Sequence, residues 1–210
     1  MTSATTRVLS ALALLPLLIV LIWWAPAWLF QLVLIVTLMI AAGELRPLVG
    51  DWVLFIALLV MYLAMPIAAL ANIRDVWGPG VLMILIGTIT ASDSGQYYAG
   101  RTFGRRQLAP VISPKKTVEG AIGGLLVGSG AAILFGRAWP IGLSDIALAG
   151  VGLSLTPAGI VGDLFESAMK RRAGVKDSGN LIPGHGGILD RIDSWLFAAP
   201  LFWLILRVAR

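Results

Sequence analysis

Glu166 to Asp193 reads ESAMKRRAGVKDSGNLIPGHGGILDRID. It holds four of the eleven acids, five of the sixteen Lys and Arg residues and the only histidine of a chain that is 58% hydrophobic and 13% charged. Ionisable side chains are costly beside hydrocarbon and are kept there for ion binding or chemistry, so function is to be sought in this cluster. Gly162 to Arg171 reads as the end of a helix leaving an apolar run. At 3.6 residues per turn, Asp163, Glu166, Ser167 and Lys170 share one face, a set able to meet both a phosphate and a metal ion. The plain alternative is a solvated, salt-bridged helix end. Asp163 weighs against it, because it directly follows the apolar run, where a carboxylate without a cation is expensive.

Lys176 to Gly187, KDSGNLIPGHGG, has four glycines and a proline. Such a run makes a loop whose backbone N–H groups can approach a phosphate. Neither a Walker-type GxxxxGKS/T run nor a strand-to-helix GxGxxG is present, so no nucleotide fold of those kinds is indicated. Asp190 and Asp193 then share a face at the start of the last apolar helix, and their hard oxygens suit magnesium. Zinc lacks its usual ligands, since there is no cysteine and no HExxH. His185, alone among glycines, reads as a structural or headgroup-contacting residue rather than a proton carrier. A second polar stretch adds Asp93 at the end of an apolar run, and Lys115, Lys116 and Thr117 before the next, where bases near a helix start can grip phosphates.

The elements that must position these residues are membrane helices. Seven apolar segments run approximately from Val8 to Trp24, Ala27 to Gly43, Trp52 to Ala71, Pro79 to Ser92, Ala121 to Gly136, Ile141 to Val161 and Trp195 to Leu206. A span needs about 20 residues, so the fourth and seventh must borrow flanking residues or stop partway. The predicted architecture is an all-α polytopic bundle of about seven transmembrane segments, with amino-terminal helices over 1–78 and a catalytic region over 79–210. Pro66 and Pro157 should kink their helices. The first segment could instead be a signal peptide ending at Ala25-Pro26-Ala27, but its apolar run is longer than the usual 7–15 residues or so, and a retained helix is preferred. Five bases lie between Gly95 and Val118 and five between Gly162 and Ser194. The positive-inside rule places both stretches in the cytoplasm, where they can share a site, with the amino terminus inside and the carboxyl terminus outside. Arg207 and Arg210 disagree mildly with that last step. The formal charge of +5 then points to anionic lipid headgroups and phosphates rather than nucleic acid. Gly120, Gly124 and Gly128 share a helix face and are expected to pack helices, a homodimer seam being the other use.

Taken together, the residues resemble the phosphatidate cytidylyltransferase, or CDP-diacylglycerol synthase, family. Its signature is met by Ser167, Lys170, Arg171, Lys176, Asp177, Gly179, Pro183, His185, Gly186, Gly187, Asp190, Arg191 and Asp193. DSGQYYAGR from Asp93 and SPKKTVEG from Ser113 are also similar to it, so the likeness covers roughly Ser92 onward. The resemblance implies conversion of CTP and phosphatidate to CDP-diacylglycerol and pyrophosphate in phospholipid biosynthesis, at the cytoplasmic face of a bacterial inner membrane. It implies catalytic roles for Asp163, Lys170, Lys176, Asp190 and Arg191, and substrate contacts for Asp93, Lys116, Ser167, Arg171 and His185. It further implies magnesium, with room for a second cation, on Asp163, Asp190 and Asp193. Cytidylyl transfer to another lipid phosphate, a polyprenol kinase reaction and a cation-coupled transporter are the alternatives. The absence of a clear internal repeat, with acids gathered at one face, disfavours the transporter.

Overall fold

The computed structural model describes residues 15–182 and 186–209, so Pro183, His185, Arg210 and residues 8–14 of the first apolar segment lie outside the described residues. Among the described residues seven helical rods follow one another: α1 (Leu15–Trp24), α2 (Ala27–Leu45), α3 (Trp52–Trp77), α4 (Pro79–Phe103), α5 (Val118–Ala138), α6 (Asp145–Arg172) and α7 (Leu189–Val208). Among the described residues α2, α3, α5 and α6 are long and apolar enough to cross a membrane. Large apolar side chains such as Trp28, Met39, Val53, Met61, Leu126 and Leu134 face outward. Water would penalise that exterior, whereas hydrocarbon requires it, together with helices that satisfy their own backbone groups. The chain is a helical membrane protein.

Among the described residues the core between the rods falls into two clusters. Leu82, Ile84, Leu85 and Ile89 of α4 pack with Leu155 of α6 and Phe202 of α7. Leu45, Leu63, Met169, Leu189 and Leu196 join α2, α3, α6 and α7 nearer the polar end. The fourth apolar segment, short at Ser92 unless it borrows flanking residues such as Ser92 to Tyr98, does borrow them: α4 continues to Phe103. Polar side chains support the added turns at helical spacing: Gln96 donates to the Asp93 carboxylate (2.9 Å) and Arg101 to the Tyr97 hydroxyl (3.0 Å). Asp93 to Arg101 therefore belongs to a rod rather than to a loop.

The glycines of α5 make that rod possible. Gly120, Gly124 and Gly128 are buried, and they face Ser92, Gln96 and Gly100, which follow the same four-residue spacing on α4. A Cβ at Gly120 would stand 2.8 Å from the Gln96 carbonyl, and one at Gly124 3.1 Å from the Ser92 carbonyl. The predicted packing face is thus used within the chain. Pro66 disturbs α3 as expected. The preceding turns, Leu59–Ala64, widen into a π-helical stretch, which relieves the clash of the ring with the turn before it. Pro157, by contrast, sits inside an unbroken α6.

One element was not anticipated. Between α4 and α5 the chain forms a short antiparallel hairpin, β1 (Gln107–Ala109) with β2 (Ser113–Thr117), pairing Gln107 with Thr117 and Ala109 with Ser113. Thr117 closes the hairpin and caps α5, its hydroxyl accepting from Gly120 N–H (3.1 Å). Glu119 fastens the entering strand at the same end by accepting from Arg105 N–H (3.0 Å) and Arg106 N–H (3.1 Å).

The close crossing of α5 and α6 gives a direct test. A Cβ at Gly152 would lie 2.5 Å from Ser129 Cα and 2.8 Å from the Gly128 carbonyl, both backbone atoms, whereas one at Gly150 meets nothing within 4 Å. Gly152→Ala should lower stability by about 1–3 kcal/mol. Gly150→Ala should be neutral or stabilising by up to about 1 kcal/mol through helix propensity. Thermal unfolding in detergent checks the contrast.

Candidate active site

The polar ends of the helices meet at one end of the bundle. α6 delivers Asp163, Glu166, Ser167 and Lys170 on the predicted face, and α7 delivers Asp190, Arg191 and Asp193 in its first turns. Lys170 is the hub. Its ammonium donates to Glu166 Oε2 at 2.7 Å and Asp190 Oδ1 at 2.5 Å, in a setting where Glu166 is 1% and Lys170 8% exposed. Lys116, at the end of β2, reaches across to Asp163 Oδ2 at 2.6 Å. Ser167 donates to the other oxygen of the same carboxylate (3.2 Å). The two polar stretches, separated in sequence by α5 and most of α6, therefore do share a site.

The connection from α6 to α7 is built for return. Gly174 adopts a left-handed backbone (φ 73°), while Gly174 N–H donates to the Arg171 carbonyl (3.1 Å) and Val175 N–H to that of Lys170 (2.9 Å). This is a Schellman ending, which glycine adopts without steric cost. The glycine-rich loop then turns its donors inward. Ser178 N–H, Ser178 Oγ–H and Gly187 N–H donate to Asp190 Oδ2 at 3.0, 3.0 and 2.8 Å. Ile188 N–H and Leu189 N–H, the free donors at the start of α7, go to the two carboxylate oxygens of Glu44 at 3.1 and 2.8 Å. The expectation of loop N–H groups facing a phosphate is replaced, for these donors, by a loop wrapped around two carboxylates of the chain itself.

A cleft of about 460 Å³ opens between these elements, lined among others by Asp93, Lys115, Lys116, Asp163, Glu166, Lys170, Asp190, Arg191 and Asp193. Arg171 and Lys176 do not line it; they are exposed on the helix end and the loop, and Arg171 donates to the Val175 carbonyl (3.0 Å). Ser167 stands behind Asp163. His185 lies outside the described residues. Two carboxylates gain importance that sequence reasoning did not assign. Glu166 was placed on the active face but given no role, and Glu44, at the end of α2, was not singled out. The cue for Glu44 was available, since a carboxylate closing an apolar run needs a partner just as Asp163 does.

Among the described residues no three acidic or histidine side chains form a ready-made metal cage. The donor set nevertheless fits a hard divalent cation. Asp93, Asp163, Glu166, Asp190 and Asp193 contribute only oxygens to the cleft, and Glu166 Oε1 is buried without a hydrogen-bond partner. An orphaned buried carboxylate oxygen is costly unless a cation or water completes it.

Residues 48–209 match the cytidylyltransferase family. The chain belongs to that family. It is 42% identical over 158 residues to the phosphatidate cytidylyltransferase of Bacillus subtilis, covering 74% of this chain and 59% of the relative. The Aquifex aeolicus phosphatidate cytidylyltransferase is 40% identical over 70% of this chain and 55% of its own. That of Synechocystis is 51% identical over 59% and 42%. The chain thus spans about half the length of the curated relatives it matches. The family match begins after α2, so Glu44 lies outside it.

Lys170 gives the sharpest test of this geometry. Lys170→Met leaves Glu166 and Asp190 facing each other without a cation, and should cost about 3–5 kcal/mol of stability at neutral pH. Adding Glu166→Gln should recover part of the loss. Unfolding midpoints of the single and double variants measure both effects.

Proposed function

We propose that the cleft transfers the cytidylyl group of CTP to phosphatidate, giving CDP-diacylglycerol and pyrophosphate. The observation that carries this reading is the convergence of Lys116, Lys170 and Arg191 with six carboxylates at the end of a bundle of apolar helices, in a chain of the cytidylyltransferase family. A water-soluble nucleotide and a lipid with two acyl tails can meet only at such a boundary. The side bearing the cleft is the cytoplasmic one of a bacterial inner membrane, by its density of bases, in a bundle of about seven transmembrane segments.

Chemically, an oxygen of the lipid phosphate attacks the α-phosphorus of CTP while the bond from that phosphorus to the bridging oxygen of the β-phosphate breaks. The attacking group is already an anion near neutral pH, so no protein nucleophile or strong base is required. The difficulty is bringing two polyanions together. Lys116 and Arg191, both lining the cleft, neutralise phosphate oxygens, and Lys170 holds Glu166 and Asp190 in a fixed arrangement. Asp163 and Asp193 line the cleft, and the apolar flanks of the helices hold the acyl tails out of water. Magnesium would be held by Asp163, Asp190 and Asp193 with the orphaned oxygen of Glu166, and when bound it supplies charge neutralisation to the triphosphate.

Purified protein given CTP, phosphatidate and magnesium should yield CDP-lipid and pyrophosphate in equal amounts, and chelation of the metal should stop both. Label from the α-phosphate must appear in the lipid. Transfer of the γ-phosphate alone would indicate a kinase, and preference for another lipid phosphate a different acceptor. Failure of every acceptor would sink the reading. Lys116→Met should raise the KM for CTP about tenfold, the worth of one charge-assisted hydrogen bond.

A further inference from the structure

Glu44 belongs to α2, outside the stretch matched by the family, yet its carboxylate is the meeting point of the loop that carries the active-site acids. Oε1 accepts from Ile188 N–H at 3.1 Å, and Oε2 accepts from Leu189 N–H at 2.8 Å and Ser178 Oγ–H at 3.3 Å. Ser178 also donates its N–H to Asp190 (3.0 Å), and its one hydroxyl proton is shared between Asp190 (3.0 Å) and Glu44. Asp190 in turn holds Lys170, and Lys170 holds Glu166. A chain of hydrogen-bonded groups thus runs from α2 into the floor of the cleft.

The loop's glycines fit that carboxylate. A Cβ at Gly179 would stand 2.6 Å from Glu44 Oε1, and one at Gly187 2.6 Å from Glu44 Oε2. Part of the glycine content of this loop therefore serves close approach to a protein carboxylate. The position is also electrostatically apt, because an anion at a helix N-terminus is favoured by the unpaired N–H groups and the helix dipole.

We propose that Glu44 is a positioning residue of the cytidylyl-transfer site, supplied by α2, which clamps the Ser178 and Gly187 ends of the loop so that Asp190 keeps its hold on Lys170. The inference rests on the function proposed above for its activity readout, but the clamp itself can be read without turnover. A carboxylate is needed here rather than any polar group. Glutamine retains one acceptor oxygen and turns an NH2 group toward backbone donors that also need an acceptor.

The test uses the full chain in lipid nanodiscs, with Glu44→Ala, Glu44→Gln, Gly179→Ala and the double variant Glu44→Ala/Gly179→Ala. Hydrogen exchange over residues 186–191 should quicken at least about tenfold in Glu44→Ala, a loss of protection worth about 1.4 kcal/mol. CDP-lipid turnover should fall at least about tenfold, the scale seen when a group orienting active-site ligands is removed. The loss should lie in kcat, with the KM for phosphatidate within about twofold of wild type. Glu44→Gln should recover part of it. Gly179→Ala should impair the wild-type chain by crowding the carboxylate, yet add nothing in the Glu44→Ala background. Wild-type exchange in Glu44→Ala overturns the clamp, as does additive damage in the double variant. Wild-type turnover in Glu44→Ala with quickened exchange overturns the positioning role. If wild-type protein makes no CDP-lipid, the functional reading fails separately, and the exchange arm still decides whether Glu44 holds the loop.

Discussion

A lysine ammonium held between two carboxylates is the constraint around which the polar end of this protein is arranged. Lys170 reaches Glu166 one turn back on its own helix and Asp190 on the next, so a single cation ties the end of α6 to the start of α7. A buried ion pair of this kind need not stabilise a fold relative to an apolar substitute, because desolvation offsets much of the attraction. What it does is fix geometry. Once Glu166 and Asp190 are committed, the loop between the two helices must bring its N–H groups to Asp190, and α7 must start where those bonds can form.

The apolar environment makes such commitments necessary. Along the middle of the rods the packing is mostly apolar, with buried hydroxyls such as those of Tyr62, Thr88 and Thr156 among it, and register is set largely by shape, through glycines that admit α4 against α5 and α5 against α6. At the ends, where the chain meets charge, hydrogen bonds take over. Arg74 shows the same logic at the opposite end of the bundle. It is buried, its Nε donates to the Ile22 carbonyl (2.9 Å), another nitrogen reaches the Ala25 carbonyl, and its guanidinium lies 4.5 Å from the Phe30 ring centre. It thereby satisfies the last carbonyls of α1 and joins α1, α2 and α3.

Much of the site was legible because costly residues in an apolar sequence advertise themselves. The α6 face of Asp163, Glu166, Ser167 and Lys170 follows from helical spacing, and the structure keeps it. The small-residue face of α5 was legible for the same reason, period rather than partner. Less was legible where polar and apolar signals conflict. α4 reads as stopping at Ser92 on hydropathy, but its polar turns are held by Gln96, Arg101 and the glycines of α5. The hairpin was hidden because strands of three and five residues carry too little pattern to register.

The sequence by itself determined that the chain lives in a membrane, which helical faces carry charge, and, through its motif, the family to which it belongs. These are properties of composition and of local period, and neither needs to know what lies across the fold. The tertiary structure alone decided the partners. Lys116 meets Asp163 across α5 and most of α6, and Glu44 meets Ile188 and Leu189 from α2. It also decided that the glycine loop spends the N–H groups of Ser178, Gly187, Ile188 and Leu189 on Asp190 and Glu44 rather than leaving them for a ligand. The physical reason is that a charge's cost is written in the sequence, while the group that offsets it is chosen by whichever distant element packing brings within hydrogen-bond distance.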